Sequence, residues 1–347
     1  MEERPIIAIT MGDPVGIGPE IIPKALVESS IYETCRPLVL GDVTLITAAS
    51  DRLNTAFRIH AVDSPEAGIY QHGTIDVIGL SELDCSGLEH GHPTRETSGA
   101  MVAYVNQAVD WALEGRVQGL ATCPINKLAM RMAGVEYDGH TELLAERTKT
   151  SDYIMMLAGT RLRVALVTIH LPLARVSETL TTEAVFKTIQ ITDDALRRNF
   201  GIPKPRLAVA ALNPHAGEDG LFGNEESRII SPALRKAGKE GIDVSGPHPA
   251  DTLFHRALKG QWDAVVCMYH DQGLIPFKMV HFSDGVNVTL GLPIVRTSVD
   301  HGTAYDIAGT GKADPGSLVA AIRMAAEHAT QIIVNNGPRR HVNGHSS

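Results

Sequence analysis

The chain has 347 residues, of which 31 are Lys or Arg and 40 are Asp or Glu, so its formal net charge is −9 at pH 7. With 44% hydrophobic and 20% charged residues, it has the composition of a globular protein and not of a disordered chain. The acidic charge excludes a general nucleic-acid binder, whose affinity depends on neutralising phosphates. A small cationic pocket for one anion remains compatible with it.

Four cysteines stand at positions 35, 85, 123 and 267 and form no CxxC pair. This usage predicts free thiols in a reducing compartment. No run reaches the ~18 uninterrupted apolar residues of a membrane-spanning helix, and two acids precede the first apolar run, unlike a secretory signal. We therefore predict a cytoplasmic protein that does not enter a membrane.

In chain order, short β-rich runs alternate with longer segments of helical periodicity. The predicted strands are Pro5–Met11, Pro37–Leu40, Phe57–Val62, Ile75–Ile78, Leu120–Cys123, Tyr153–Leu157, Arg163–Ile169, Arg206–Leu212, Ala264–Tyr269 and Val286–Leu290. The predicted helices are Thr97–Glu114, Thr182–Arg198, Glu225–Lys239 and Ser317–Val334. This alternation predicts an α/β protein, and continuous apolar runs such as VALVTI predict strands covered on both faces.

The segment MGDPVGIGPEII follows the first predicted strand and leads into a helix. Gly12, Gly16 and Gly18 allow close backbone approach, and amides at a helix start can bind an anion. A dinucleotide-binding GxGxxG motif would need Gly at position 21, where Ile21 stands, so the segment is not that fingerprint. The alternative interpretation is a tight loop before a helix.

Three histidines follow apolar predicted strands. His170 comes after RVALVTI, His215 after LAVAALNP and His270 after DAVVCMY. Because ligands bind outside the carboxyl ends of strands in open α/β sheets, three imidazoles there could bind one divalent metal and leave a position open for substrate. The alternative is that each is a polar strand-end residue hydrogen-bonded to the backbone.

A second group of polar residues could bind an anion. His140 and Thr141 stand at a predicted helix start, where Thr141 could also be the N-cap. Lys278, Asn287 and Arg296 are two cations and an amide close in sequence. Together they could hold a phosphate or carboxylate, with Arg296 offering a bidentate fork.

These motifs together resemble the PdxA family, the 4-hydroxythreonine-4-phosphate dehydrogenases. The resemblance covers nearly the whole chain and rests on the order and combination of eight segments. They are AITMGDPVGIGPEI, ATCPINK, DGHTELLA, RVALVTIHLPL, NPHAGEDGLFG, GPHPADTLF, MYHDQGLIPFK and GVNVTLGLPIVRTSVDHGTAYDIAG. The last segment is also similar to the cofactor loop of isocitrate and isopropylmalate dehydrogenases.

The resemblance implies a two-domain α/β fold of the isocitrate and isopropylmalate dehydrogenase type, with a cleft between the domains, and not a Rossmann fold. We expect residues 1–135 with 286–335 to form the first domain and 136–285 the second, which would carry the metal ligands and dimer contacts. Residues 336–347 are predicted to be a flexible tail. The resemblance also implies a homodimer whose active site is shared between subunits.

The resemblance implies roles for individual residues. It makes His170, His215 and His270 the metal ligands, and His140, Thr141, Lys278, Asn287 and Arg296 the substrate-binding residues. We assign the binding of the cofactor, NAD or NADP, to Gly12, Gly16, His301 and Asp306. The metal could be zinc, cobalt, magnesium or manganese, and no general base is assigned.

The implied reaction is oxidation and decarboxylation of 4-phosphohydroxy-L-threonine to 3-amino-2-oxopropyl phosphate, in pyridoxal phosphate biosynthesis. Some family members instead act on 4-phospho-D-threonate or 4-phospho-D-erythronate, and the motifs do not separate the two branches. Two alternatives of other classes are a non-redox metal-dependent enzyme on phosphorylated substrates and a binding protein without turnover.

Overall fold

A computed structural model describes residues 4–137 and 139–336. Twelve strands in this part of the chain form one sheet. The strands are β1 (Ile6–Thr10), β2 (Arg36–Asp42), β3 (Arg58–Val62), β4 (Thr74–Ser81), β5 (Gly119–Thr122), β6 (Ile154–Ala158), β7 (Arg163–Leu166), β8 (Arg206–Ala210), β9 (Asp243–His248), β10 (Ala264–Cys267), β11 (Val286–Leu290) and β12 (Arg296–Val299).

Helices cover this sheet. They are α1 (Gly18–Leu26), α2 (Ser29–Thr34), α3 (Val43–Arg52), α4 (Arg95–Leu113), α5 (Lys127–Met132), α6 (His140–Arg147), α7 (Leu173–Thr179), α8 (Thr182–Arg198), α9 (Ser231–Lys239), α10 (Ala250–Ala257), α11 (His270–Val280) and α12 (Gly316–Asn336). A π-helical turn, Glu226–Ile230, leads into α9. No helix of the described residues has the length and apolar character needed to cross a membrane.

The sheet has the order β3-β4-β2-β1-β5-β12-β11-β6-β7-β10-β8-β9. The first six strands in this order, which end at β12, run parallel to their neighbours. The last four, β7, β10, β8 and β9, do so as well. Between these groups, β11 and β6 make three consecutive antiparallel pairings. The two parallel groups therefore run in opposite directions, which is not the all-parallel arrangement of a dinucleotide-binding Rossmann sheet.

Burial explains why the apolar runs form strands. All five residues of β1 and all five of β6 are buried, as expected for strands with helices on both faces. In β7, Val164 and Leu166 enter one apolar cluster while Ala165 enters the other. This period of two places the two clusters on opposite faces of the second parallel group.

All ten predicted strands are confirmed, but two further strands were missed. In β12 the residues RTSV are buried although three of the four are polar, so no apolar run marks the strand. In β9 the sequence DVSGPH is only partly buried and contains Gly246 and Pro247, which is acceptable because β9 lies at the edge of the sheet.

The four predicted helices are also found, with one difference. The segment predicted as Glu225–Lys239 begins with the π-helical turn and becomes α-helical only from Ser231. The C-terminal helix α12 packs against β1, β5 and β12, so the end of the chain returns to the first parallel group. The predicted tail, 336–347, lies outside the described residues except for Asn336, where α12 ends.

Candidate active site

Two of the three predicted metal-binding histidines lie close together. His170 follows β7 and His270 begins α11 directly after β10, and these two strands are parallel neighbours. Their carboxyl ends therefore meet at one edge of the sheet. The ring centroids of His170 and His270 are 5.9 Å apart, which is close enough for both imidazoles to face one ion.

The third histidine, His215, lies in an unusual turn after β8. Five consecutive residues, from His215 to Asp219, have φ between 44° and 84°, in the left-handed region. Four of them are not glycine, and each such residue costs about 1–2 kcal/mol in this conformation. Backbone strain of this kind clusters at functional sites, where surrounding contacts maintain it.

The carboxylates of Glu226 and Glu225 hold the start of this turn. Glu226, which is 5% exposed, accepts hydrogen bonds from the backbone amides of Leu212 (2.9 Å) and Asn213 (2.7 Å). The Asn213 side chain also donates to Glu226 (3.0 Å) and to Glu225 (2.8 Å). The connection that carries His215 is therefore fixed by the π-helical turn before α9.

Within one chain, the three predicted histidine ligands form only part of a site for a divalent metal. The Nδ1 atom of His270 lies 2.7 Å from the carboxylate of Asp271, an arrangement that fixes the tautomer and leaves Nε2 as the donor atom. Among the described residues, no three His, Cys, Asp or Glu side chains are arranged to hold a metal ion. His170 and His270 fit as two ligands, and the chain does not bring His215 to them.

Four of the five predicted substrate-binding residues line a cavity of about 340 Å³ on one face of the central antiparallel strands. Register explains why they share a face: Asn287 of β11 pairs with Ser298 of β12, and Arg296 stands two residues before Ser298. His140 and Thr141 line the same cavity, as does His170. Four of the five predicted residues are thus brought together beside a predicted metal ligand.

Three polar atoms at this cavity are buried without a hydrogen-bond partner. They are Nε2 of His140, Oδ1 of Asn287 and Nε of Arg296. A buried polar group without a partner costs about 1–3 kcal/mol, so three of them around one cavity indicate a ligand that supplies their partners. The arrangement therefore favours a binding site over a set of satisfied core residues.

The Arg296 side chain is held rigidly inside this site. It is 2% exposed, and its two terminal nitrogens donate to the hydroxyls of Thr289 (2.8 Å) and Thr122 (3.0 Å). Burial lowers its pKa to about 10, an effect opposed by the charge of Glu142. At neutral pH the guanidinium therefore carries a positive charge that the two threonines orient but do not neutralise.

His140 contributes a neutral imidazole. Burial, together with the charge of Arg296, holds its pKa well below the usual value for histidine. It begins α6, whose N-cap position is Gly139 and has no side-chain cap. The interpretation of Thr141 as N-cap is therefore wrong, because Thr141 is inside the helix, and the first amides of α6 remain available to an anion.

Lys278, the fifth predicted residue, is paired with Asp300 instead. Its ammonium group lies 3.1 Å from the Asp300 carboxylate and donates to the backbone carbonyl of the same residue at 3.0 Å. Burial raises the pKa of Asp300, and the Lys278 charge opposes that shift. Asp300 directly precedes His301, which lines the cavity.

The two segments predicted for the cofactor lie against each other. The amide of Ile17 donates to the carbonyl of Thr303 (3.1 Å), and the Tyr305 hydroxyl donates to the buried carboxylate of Asp13 (2.5 Å). A side chain on Gly16 would press on Thr303. Of the predicted cofactor residues outside this contact, His301 lines the cavity and Asp306 is exposed.

Gly12 has a structural reason to be glycine. Its φ is +72°, and a Cβ atom there would stand 2.3 Å from the carbonyl oxygen of Pro124. Any side chain would therefore separate the loop after β1 from the loop after β5. Its role in binding a cofactor stays a prediction.

Three further polar residues line the cavity that sequence patterns did not predict: Lys127, Glu142 and Ser298. Lys127 could have been predicted, because it stands shortly after β5, and ligands bind outside the carboxyl ends of strands in open α/β sheets. Ser298 could not be found, because it belongs to the unpredicted strand β12.

Comparisons with known proteins identify relatives along nearly the whole chain. The family profile described as "Pyridoxal phosphate biosynthetic protein PdxA" matches residues 33–325. A 4-hydroxythreonine-4-phosphate dehydrogenase of Desulforapulum autotrophicum is 59% identical, over 95% of this chain and 97% of that one. A protein of Symbiobacterium thermophilum, provisionally named a D-threonate 4-phosphate dehydrogenase, is 45% identical, over 95% and 98%.

Among solved structures, the 4-hydroxythreonine-4-phosphate dehydrogenase of Klebsiella pneumoniae is similar with a TM-score of 0.88 and 42% identity. The similarity covers 95% of this chain and 99% of that one, and it confirms the predicted fold class. The profile match and the identity along nearly the whole chain show that this protein belongs to the PdxA family.

Proposed function

We propose that the protein is an NAD-linked, metal-dependent dehydrogenase that oxidises and decarboxylates 4-phosphohydroxy-L-threonine to 3-amino-2-oxopropyl phosphate. The observation that carries this proposal is the cavity with three buried, unpartnered polar atoms beside an uncapped helix start. Relatives named 4-hydroxythreonine-4-phosphate dehydrogenase support the choice of substrate and place the reaction in pyridoxal phosphate biosynthesis.

The phosphate group is assigned to the first turn of α6. There the backbone amides, Nε2 of His140, the Thr141 hydroxyl and the Arg296 guanidinium all present donors or positive charge to one region. Asn287 can orient the neighbouring part of the substrate through its amide. Fixing the phosphate in this way positions the carbon to be oxidised toward His170, which lines the same cavity.

The metal would be held by His170, His215 and His270. As zinc, cobalt, magnesium or manganese it would supply Lewis-acid polarisation of the substrate hydroxyl and stabilise negative charge left by decarboxylation. Asp271 orients His270, and Glu226 fixes the backbone that carries His215. The cofactor, NAD or NADP, would lie along the contact between the Gly12–Gly16 loop and residues 301–306.

A shared active site accounts for the incomplete metal site of one chain. We propose a homodimer in which a second subunit completes the ligand set, with residues 1–135 and 286–335 as one domain and 136–285 as the other. Exposed apolar side chains on α7 and α11 support an interface close to the histidines. They are Leu173, Ile275, Met279 and, just after α11, Phe282, each between 59% and 84% exposed.

The free state of the cysteines supports the cytoplasmic location proposed for the enzyme. None of Cys35, Cys85, Cys123 and Cys267 forms a disulfide, as expected in a reducing compartment. Three of them are buried, and burial raises the thiol pKa of each, so they act as packing residues and not as nucleophiles.

A substrate panel tests the proposed function. Purified protein with NAD and each of the four metals should form NADH with 4-phosphohydroxy-L-threonine, and His215→Ala should lose turnover and bound metal while remaining folded. The matched control is His255→Ala, which removes an exposed histidine outside the site. Turnover of none of the phosphorylated substrates by the metal-loaded protein would contradict the proposal.

A second candidate differs only in the substrate. The relatives provisionally named D-threonate 4-phosphate dehydrogenases are 42–45% identical along the chain, so 4-phospho-D-threonate and 4-phospho-D-erythronate belong in the same panel. These acids carry a hydroxyl where 4-phosphohydroxy-L-threonine carries an amino group. A higher kcat/KM for either of them would select this alternative.

A further inference from the structure

We propose that Lys127 is a further substrate-binding residue, whose ammonium group pairs with the substrate phosphate in the cavity at the start of α6. Lys127 lines that cavity together with His140, Thr141 and Arg296. The inference rests on the proposed function, because it assigns a role to a side chain within the same site. It is carried by the distribution of charge around the cavity.

Apart from Lys127, the cavity offers little uncompensated positive charge. Arg296 contributes one positive charge, but Glu142 lines the same cavity and opposes it. His140 remains neutral, because burial and Arg296 depress its pKa. The charge of Lys278 is engaged by Asp300. A phosphate monoester carries about −1.5 to −2 charge at neutral pH, so these groups alone leave it undercompensated.

Lys127 is the cation that remains. Within the described residues, no ion pair or hydrogen bond occupies its ammonium group, although it is an exposed side chain lining a polar cavity. Lysine acts as a compact, flexible point charge toward phosphate. Arg296, which two threonines fix in position, defines where the phosphate lies. The flexible Lys127 side chain can then move to pair with that phosphate.

The helix start fixes where Lys127 can reach. Asn126 is the N-cap of α5, and its side chain accepts hydrogen bonds from the amides of Leu128 (2.8 Å) and Ala129 (3.1 Å). This cap holds the first residue of α5 at the end of β5, on the side of the cavity formed by Pro124 and Ile125. The phosphate would then lie at the start of α6, with one cation from Arg296 of β12 and one from the Lys127 side chain.

The test compares Lys127→Met and Lys127→Arg with the wild type and with Lys204→Met. Lys204 is an exposed lysine in a turn away from the cavity. Affinity for inorganic phosphate is measured by calorimetry, and kcat and KM are measured with 4-phosphohydroxy-L-threonine. Circular dichroism establishes that each variant is folded.

We expect Lys127→Met to weaken phosphate binding and to raise KM by about 10- to 100-fold, the range for a lost charge-assisted hydrogen bond. Because the phosphate is not the reacting group, kcat should change less than KM. Lys127→Arg should recover most of the affinity, and Lys204→Met should match the wild type. A folded Lys127→Met protein that binds phosphate like the wild type would overturn the inference.

The outcome separates this inference from the proposed function. A wild type that turns over the substrate while Lys127→Met keeps its phosphate affinity leaves the function standing and removes the role of Lys127. If the wild type turns over no substrate but Lys127→Met lowers phosphate affinity, the role of Lys127 stands and the proposed function is refuted. A fall in kcat with unchanged KM and phosphate affinity also contradicts phosphate pairing, since it would place Lys127 at the reacting carbon.

Discussion

Arg296 shows how a charged residue comes to be buried in the core of this sheet. The side chain is 2% exposed, yet two threonine hydroxyls satisfy its terminal nitrogens and leave Nε for a ligand. Burying a charge without a partner is expensive, and a binding site explains why the protein retains it. The residue type and its proximity to Asn287 are visible in the sequence, whereas its burial is not.

We predict that Arg296→Lys reduces the affinity for inorganic phosphate and that Arg296→Met reduces it further, by about 100-fold or more relative to the wild type. Lysine keeps the charge but cannot bond both threonines and the ligand with one planar group. Calorimetry measures the affinity. Arg323→Met, which breaks an exposed ion pair with Glu28, is the control. Wild-type affinity in a folded Arg296→Met protein would contradict the assigned role.

Among the secondary-structure elements, the connection after β8 is the one that departs most from regular geometry. The left-handed turn from His215 to Asp219 is anchored at its start by Glu226, which lies in a π-helical turn. Periodicity alone predicted one continuous helix from Glu225. It could not reveal that the first turn of this segment is π-helical and accepts hydrogen bonds from the connection after β8.

We expect Glu226→Gln to lower metal affinity and turnover while lowering the free energy of unfolding by about 1–3 kcal/mol. A neutral amide cannot accept hydrogen bonds at both of its polar atoms, so at least one donor of Asn213 or Leu212 loses its partner. Metal content after dialysis and urea unfolding measure the two effects. Glu218→Gln, an exposed position in the same turn, should behave like the wild type; equal effects at both positions would argue against the anchoring role.

At the scale of the whole molecule, the C-terminal helix α12 packs on strands of the first parallel group and on α8. His328 of this helix is 1% exposed, its ring lies 4.3 Å from that of Phe200, and neither ring nitrogen has a hydrogen-bond partner. Burial, helped by the charge of Arg163, lowers its pKa from 6.5 to about 3. The folded protein therefore requires a neutral imidazole at this contact.

The lowered pKa of His328 determines the direction in which stability changes with pH. The unfolded chain binds the proton below pH 6.5 and the folded chain only near pH 3, so stability is present above pH 6.5 and is lost as the pH falls toward 3. We predict that His328→Leu removes about 2 kcal/mol of the fall in unfolding free energy between pH 7 and pH 5. Urea unfolding at the two pH values measures this, with the exposed His255→Leu as control. The same pH dependence in wild type and His328→Leu would refute it.

The sequence by itself determined the α/β class, ten of the twelve strands in the described residues and four of the polar residues that line the cavity: His140, Thr141, Asn287 and Arg296. Apolar runs and strand-end polar residues record burial and local chain direction, so they can be read one segment at a time. The tertiary structure decided which of these segments meet. The antiparallel pairing of β11 with β12 and β6 places Asn287, Arg296 and Ser298 on one face, and no local pattern encodes that register.

The histidines divide in the same way. Their strand-end positions are visible in the sequence, and the adjacency of β7 and β10 brings His170 and His270 within 5.9 Å. His215 is instead held in a left-handed turn whose geometry depends on Glu226, a partner in another element. Long-range contacts of this kind join residues far apart in the chain, so they exist only once the sheet and its helices have assembled.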